Sequence, residues 1–133
     1  MSERRKYRFR VWDKQERALY PVIMVGRGIV MIKDSISERS RRLSEVTLMQ
    51  FAGLLDVKGH EIYEGDVVTT EEGGSKTHKQ VLLEDGAFRL KSLANEQEPP
   101  QLLSRDIVLE SQVKVVGNIY ADRLSKDIPQ KSV

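Results

Sequence analysis

His60, Glu61, Glu64 and Asp66 lie close together in a chain of 133 residues. Carboxylates beside an imidazole are the groups from which acid–base catalysis and metal sites are built. Proximity in sequence is a weak basis for either, because a metal needs several ligands converging from different directions. The same stretch is punctuated by Gly59 and Gly65, so a turn is the better account of it. In that reading Asp66 accepts backbone N–H bonds, as short polar side chains at turns do, and Asn118 after Gly117 does the same. His60 and His78 are the only histidines, and neither has a partner at ligand spacing. No G-x-S-x-G elbow occurs. Gly26-Arg27-Gly28 lacks the third glycine and following helix of a dinucleotide loop. Gly73-Gly74-Ser75-Lys76 has the wrong spacing for a phosphate loop.

Binding chemistry is better represented. Arg4, Arg5, Lys6, Arg8 and Arg10 interleave with Tyr7, Phe9 and Trp12. Strand alternation sets Lys6, Arg8, Arg10 and Trp12 on one face, where phosphates and stacked bases could sit. The competing account, which we favour, has Trp12 packed on a neighbouring strand under the arginine stems. A second cluster, Arg39, Arg41 and Arg42, could meet nucleic acid or an acidic partner. The candidate binding residues are therefore Arg8, Arg10, Trp12, Arg39, Arg41 and Arg42.

Charge is unevenly placed. Residues 1–42 carry 12 Lys/Arg and 5 Asp/Glu, and residues 43–133 carry 10 and 15, within a net charge of +2. Opposed potentials of this kind can pair within or between chains. The chain has no cysteine, which removes disulfides, thiolate catalysis and Cys-ligated zinc. No apolar run approaches the ~20 residues that span a bilayer, and MSERRKYRFR is not followed by a signal-peptide core. A cytoplasmic chain with no membrane contact, metal or cofactor is expected, built as one domain or as a small barrel with a substantial extension.

The elements that would position these groups read as β-structure. Residues 7–12 alternate with period two, and 18–20 can return beside them. Residues 22–25 and 29–32 flank a glycine-bearing hairpin loop. Their apolar runs are continuous, so cover on both faces is expected, with another subunit as its source. Residues 34–44 read as a flexible loop with at most one helical turn. Further strands are expected at 48–51, 62–63, 67–70, 79–84, 87–93 and 113–120. Turns fall at 64–66, 71–75 and Asp85-Gly86, and Pro99-Pro100 lies in a loop. Residues 107–109 are a short apolar piece, and the tail beyond 122 should fray.

Three segments together resemble one known family. They are KYRFRVWDK, VVGNIY and, most densely, LMQFAGLLDVKGHEIYEGDVV at residues 48–68. They resemble the YopX family of bacteriophage and prophage proteins, whose pattern there is roughly LMQ-aromatic-small-GLxDxxGxEIYEGDxV. Phe51-Ala52 stands where that family more often has Tyr-Thr. The motif residues Gly53, Gly59, Glu61, Tyr63, Gly65, Asp66, Gly117 and Asn118 are read as structural. The resemblance implies a small SH3-type antiparallel barrel, and it brings no activity with it.

The expected fold is thus mainly β: an N-terminal β-rich extension with a basic loop (1–45), an SH3-like barrel (46–121) and a tail (122–133). A non-enzymatic, self-associating protein-interaction module is the favoured function. Nucleic-acid binding through the basic N-terminal strand is the alternative, and a carboxylate-dependent enzyme the weakest reading.

Overall fold

The computed structural model describes residues 8–121. The chain divides between Phe51 and Ala52 into two units. In the first lie β1 (Phe9–Asp13), β2 (Ala18–Val25), β3 (Ile29–Lys33), β4 (Glu38–Arg42) and a single 3-10 turn (Leu43–Glu45), followed by the start of β5 (Val46–Leu55). Their hydrogen-bonded order is β4-β3-β2-β1-β5, antiparallel throughout. β-Branched residues fill the inward face: Val11, Val30, Ile32 and Val46 form one core, with Tyr20, Val22, Leu43 and Leu48 packed against it.

The second unit holds the end of β5 and β6 (Glu61–Tyr63), then β7 (Asp66–Glu72), β8 (Ser75–Glu84) and β9 (Ala87–Ser92). β10 (Gln101–Leu102), α1 (Arg105–Glu110) and β11 (Lys114–Asn118) complete it. Five of these strands make a sheet ordered β10-β9-β8-β7-β11. Glycine turns at Gly73-Gly74 and Asp85-Gly86 join β7 to β8 and β8 to β9, all with positive φ. Such turns match the right-handed twist of the strands they connect. Ile62, Val68, Val81, Leu90, Leu103, Val108 and Val113 form the core.

The protein is mainly β, and three expectations change. Residues 38–42 form a strand and not a loop, its register running from Ile29↔Arg42 to Lys33↔Glu38. Arginines without an apolar partner gave no strand signal; acidic residues from distant positions supply the missing support. Residues 105–110 form a helix that Ser104 caps by accepting the N–H of Ile107 at 3.2 Å, with Val108 as its buried anchor. Third, the described strands do not close into a barrel. β10 and β11 are opposite edges of their sheet, and the two-residue β10 is too short to seal a ring. The tail beyond 121, and Arg4, Arg5, Lys6 and Tyr7, lie outside the described residues.

Candidate functional site

The first unit carries a polar cluster of acids and arginines and a set of exposed apolar side chains. Asp13 ends β1, Glu16 lies in the turn after it, Tyr20 is on β2 and Asp34 follows β3. β4 sends two arginines toward them. Arg39 grips Glu16 with both terminal nitrogens, at 2.7 and 3.2 Å, and its Nε lies 3.1 Å from Asp34 Oδ2. Its guanidinium also stands 5.3 Å from the centre of the Tyr20 ring, and the Tyr20 hydroxyl donates to Glu16. Arg41 donates from Nε to Asp13 at 2.8 Å and from a terminal nitrogen to Glu16 at 2.8 Å.

This geometry sets the protonation of the acids. Arg39 first, and then the Tyr20 hydroxyl, hold Glu16 down to about 2. Burial pushes the Asp13 carboxyl up, but the N–H of Glu16, the Arg41 guanidinium and the N–H of Gln15 outweigh it and leave it lowered. The N–H groups of Ser37 and Ile36 lower Asp34. Arg39 and Arg41 are thus engaged within the chain.

The other binding candidates fall as follows. Arg8, Arg10 and Trp12 do share one side of β1, the side of Leu19 and Pro21 by register. Arg8 is exposed and lies 5.9 Å from the Phe51 ring. Arg10 is half-buried. Trp12 is buried beneath the Arg17 guanidinium, 5.8 Å from its ring. Arg42 is exposed, and its backbone N–H donates to Glu45 at 2.8 Å.

The apolar hairpin divides its residues unequally. Val30 and Ile32 are buried in the core, whereas Ile23 is 48%, Met24 58% and Ile29 43% exposed. A register shift between Val22 and Met24 makes Ile23 the extra residue of a bulge and pairs Met24 with Met31. Pairing therefore puts Leu19, Pro21, Met24, Met31 and Ile29 on the side of the sheet away from Val30. Leu19, Pro21 and the 90% exposed Ile36 also wall an open hollow of about 640 Å³.

The motif residues of the second unit hold backbone. Gly53, Gly59 and Gly65 all have positive φ. Asp66 is fully buried and accepts the N–H of Tyr63 at 2.8 Å. Tyr63 donates its hydroxyl to Glu61 at 2.8 Å. Asn118 accepts from the N–H groups of Tyr120 and Ala121, just beyond a β11 register shift between Val115 and Gly117. No three of Glu61, Glu64, Asp66 and His60 form a group that could hold a metal ion. His60 instead faces Asp56, with Nδ1 3.5 Å from Oδ2. Among the described residues, no group of three or more His, Asp or Glu could hold a metal ion.

Sequence reasoning passed over three groups. Asp56 is buried and accepts N–H bonds from Lys58, His60 and Val115. Lys79 is buried, bonded to Glu72 at 3.0 Å and Gln101 at 3.3 Å; its one signal is that it shares strand parity with Val81. Asp13 and Glu16 read only as turn residues.

Comparison with known proteins fits this architecture. The model of the YopX protein family matches residues 8–123. The chain is similar to the crystal structure of protein EF1440 from Enterococcus faecalis, with a TM-score of 0.62, 19% identity, 86% of this chain covered and 93% of that one. It is also similar to the X-ray structure of protein yopX from Bacillus subtilis, with a TM-score of 0.57, 18% identity, and coverage of 87% and 94%. At those identities the likeness speaks for the fold alone. No curated protein matches the chain. With most of its length inside the family match, the chain belongs to the YopX family.

Proposed function

We propose that this chain is a non-enzymatic interaction module that self-associates through the apolar side of the β2–β3 hairpin. The observation that carries this reading is the exposure of Ile23, Met24 and Ile29 beside the buried Val30 and Ile32. A contiguous apolar patch on a small protein marks a contact surface more often than it marks idle surface. A second copy is the occupant because the patch is the apolar face of a sheet, and the same face of another copy can cover it by sheet-on-sheet packing.

The meander β7 to β10, the helical turn α1, and the return of β11 beside β7 support reading the second unit as a partly open SH3-type barrel. On the same reading, the protein is a bacteriophage or prophage product acting in the cytoplasm of a bacterial host. The nucleic-acid alternative draws less support, since Arg39 and Arg41 are ion-paired within the chain and Trp12 is buried.

Size-exclusion chromatography with light scattering at micromolar concentration tests the proposal. The expected mass exceeds the 15.2 kDa of one chain, and Met24→Lys with Ile29→Lys lowers it while leaving the circular dichroism unchanged. A wild-type chain running at 15.2 kDa overturns the proposal.

A further inference from the structure

We infer that two copies also join edge to edge along β4, antiparallel about a two-fold axis at Ser40. This rests on the self-association proposed above but uses a different surface. Among the described residues β4 ends the strand order on its side. The β3–β4 ladder is bracketed by Asp34 N–H donating to Ser37 at 3.0 Å and Leu43 N–H donating to Gly28 at 2.9 Å. Antiparallel alternation then turns the backbone of Arg39 and Arg41 toward β3, and that of Glu38, Ser40 and Arg42 outward. The side chains of the same three residues are exposed.

The sequence of this edge is complementary to itself. About an axis at Ser40, Glu38 lies opposite Arg42 of the second copy, and Arg42 opposite its Glu38. Two opposite-charge cross-strand pairs form at once, with two small serines meeting at the axis. A slip of two residues either way loses both pairs. On the other face Arg39 falls opposite Arg41 of the second copy. Each is already neutralised at home, Arg39 by Glu16 and Asp34 and Arg41 by Asp13 and Glu16. The N–H of Arg42 is held by Glu45, and the Ser40 carbonyl already accepts from a terminal nitrogen of Arg41 at 3.1 Å, so the new ladder uses the N–H groups of Ser40 and Glu38, the carbonyl of Arg42 and the second lone pair of the Ser40 carbonyl. A strand that ends its sheet among the described residues is a template for strand addition, and its charge pattern selects one register.

Cross-linking and charge exchange test the inference. The chain has no cysteine, so Ser40→Cys introduces one thiol, and a short bismaleimide should join two copies through it. Lys58→Cys, in the other unit, should not cross-link. In the Met24→Lys, Ile29→Lys background, the remaining assembly should be this edge pair. Glu38→Arg or Arg42→Glu alone should weaken it about tenfold, and the two together should restore it. Failure of Ser40→Cys to cross-link, or of the double exchange to restore pairing, overturns the edge inference. A lowered mass with Met24→Lys, Ile29→Lys beside such a failure leaves the apolar-face reading standing. A wild-type monomer ends both.

Discussion

Nε of Arg41 donates to Oδ2 of Asp13 at 2.8 Å, tying β4 to the end of β1 across 28 positions of sequence. The Asp13 side chain is 1% exposed, and its other oxygen accepts the N–H groups of Gln15 and Glu16. One carboxylate thus shapes the β1–β2 turn and anchors an arginine strand that has little apolar support of its own.

Replacing that carboxylate should be felt in both places. Asp13→Asn keeps an oxygen for the turn but loses the charge that faces Arg41. Arg41 retains Glu16, so the loss is smaller than for a fully isolated buried charge. The expected destabilisation is about 2 kcal/mol, and about 3 kcal/mol for Asp13→Ala, which also strands the two turn donors. Urea denaturation checks it, with the dependence on denaturant unchanged. A change under a few tenths would show that the pair does not support the sheet.

Acid should weaken the fold through the same cluster. Glu16 is held down to about 2 from an ordinary 4.5, and Asp13, Asp34 and Asp56 are lowered from 3.8. Between its folded and unfolded values, each acid binds more protons in the unfolded chain, so stability rises with pH there. Their contribution is complete above about pH 5 and is lost as the pH falls toward about 2. Denaturation midpoints measured from pH 2 to 6 should trace that decline. Arg39→Met removes the main cause of the Glu16 shift and should make the slope shallower; an unaltered curve would separate Glu16 from acid stability.

Much of the architecture could be read from particular residues, and the failures have separate physical causes. Asp85-Gly86 announced its hairpin because the turn chemistry is local. Val11, Val30 and Ile32 announced their strands because β-branched residues declare a buried pleat. β4 gave no such sign: Arg39 and Arg41 become strand residues only when Asp13, Glu16 and Asp34 arrive from elsewhere in the chain. α1 was hidden by brevity, since Ile107, Val108 and Leu109 show one apolar turn and no period. For the candidate site, continuous apolarity at 22–32 pointed to the hairpin, but not to the bulge at Ile23 that aims Met24 outward. The basic residues were legible as a charge cluster, and their internal partners were not.

Asp56 offers a test of long-range tethering. Its Oδ1 accepts the N–H groups of Lys58 and His60, and its Oδ2 accepts that of Val115, 59 residues away, each at 2.8 Å. Asp56→Ala should leave three donors without their acceptor and destabilise the fold by about 4 kcal/mol. Asp56→Asn keeps one oxygen and should cost about half as much. Hydrogen exchange gives the sharper reading: the Val115 amide should exchange faster in both variants. Protection of that amide unchanged in Asp56→Ala would refute the tether.

Gly65 should resist substitution where Gly26 accepts it. Gly65 sits at φ 90°, its N–H donating to Val81 at 2.9 Å and its carbonyl accepting from Ile119 at 2.9 Å. Those two bonds join β6–β7 to β8 and to the end of β11, so the backbone cannot relax toward negative φ without breaking them. A side chain at positive φ costs about 1–2 kcal/mol, which is the loss expected for Gly65→Ala. Gly26 is not among the positive-φ glycines, and an added Cβ would meet Ile29 Cγ1 at an ordinary 3.6 Å. Gly26→Ala should therefore stay within about 0.5 kcal/mol of wild type. Equal losses at the two positions in thermal or urea denaturation would show that backbone conformation is not what holds Gly65 in place.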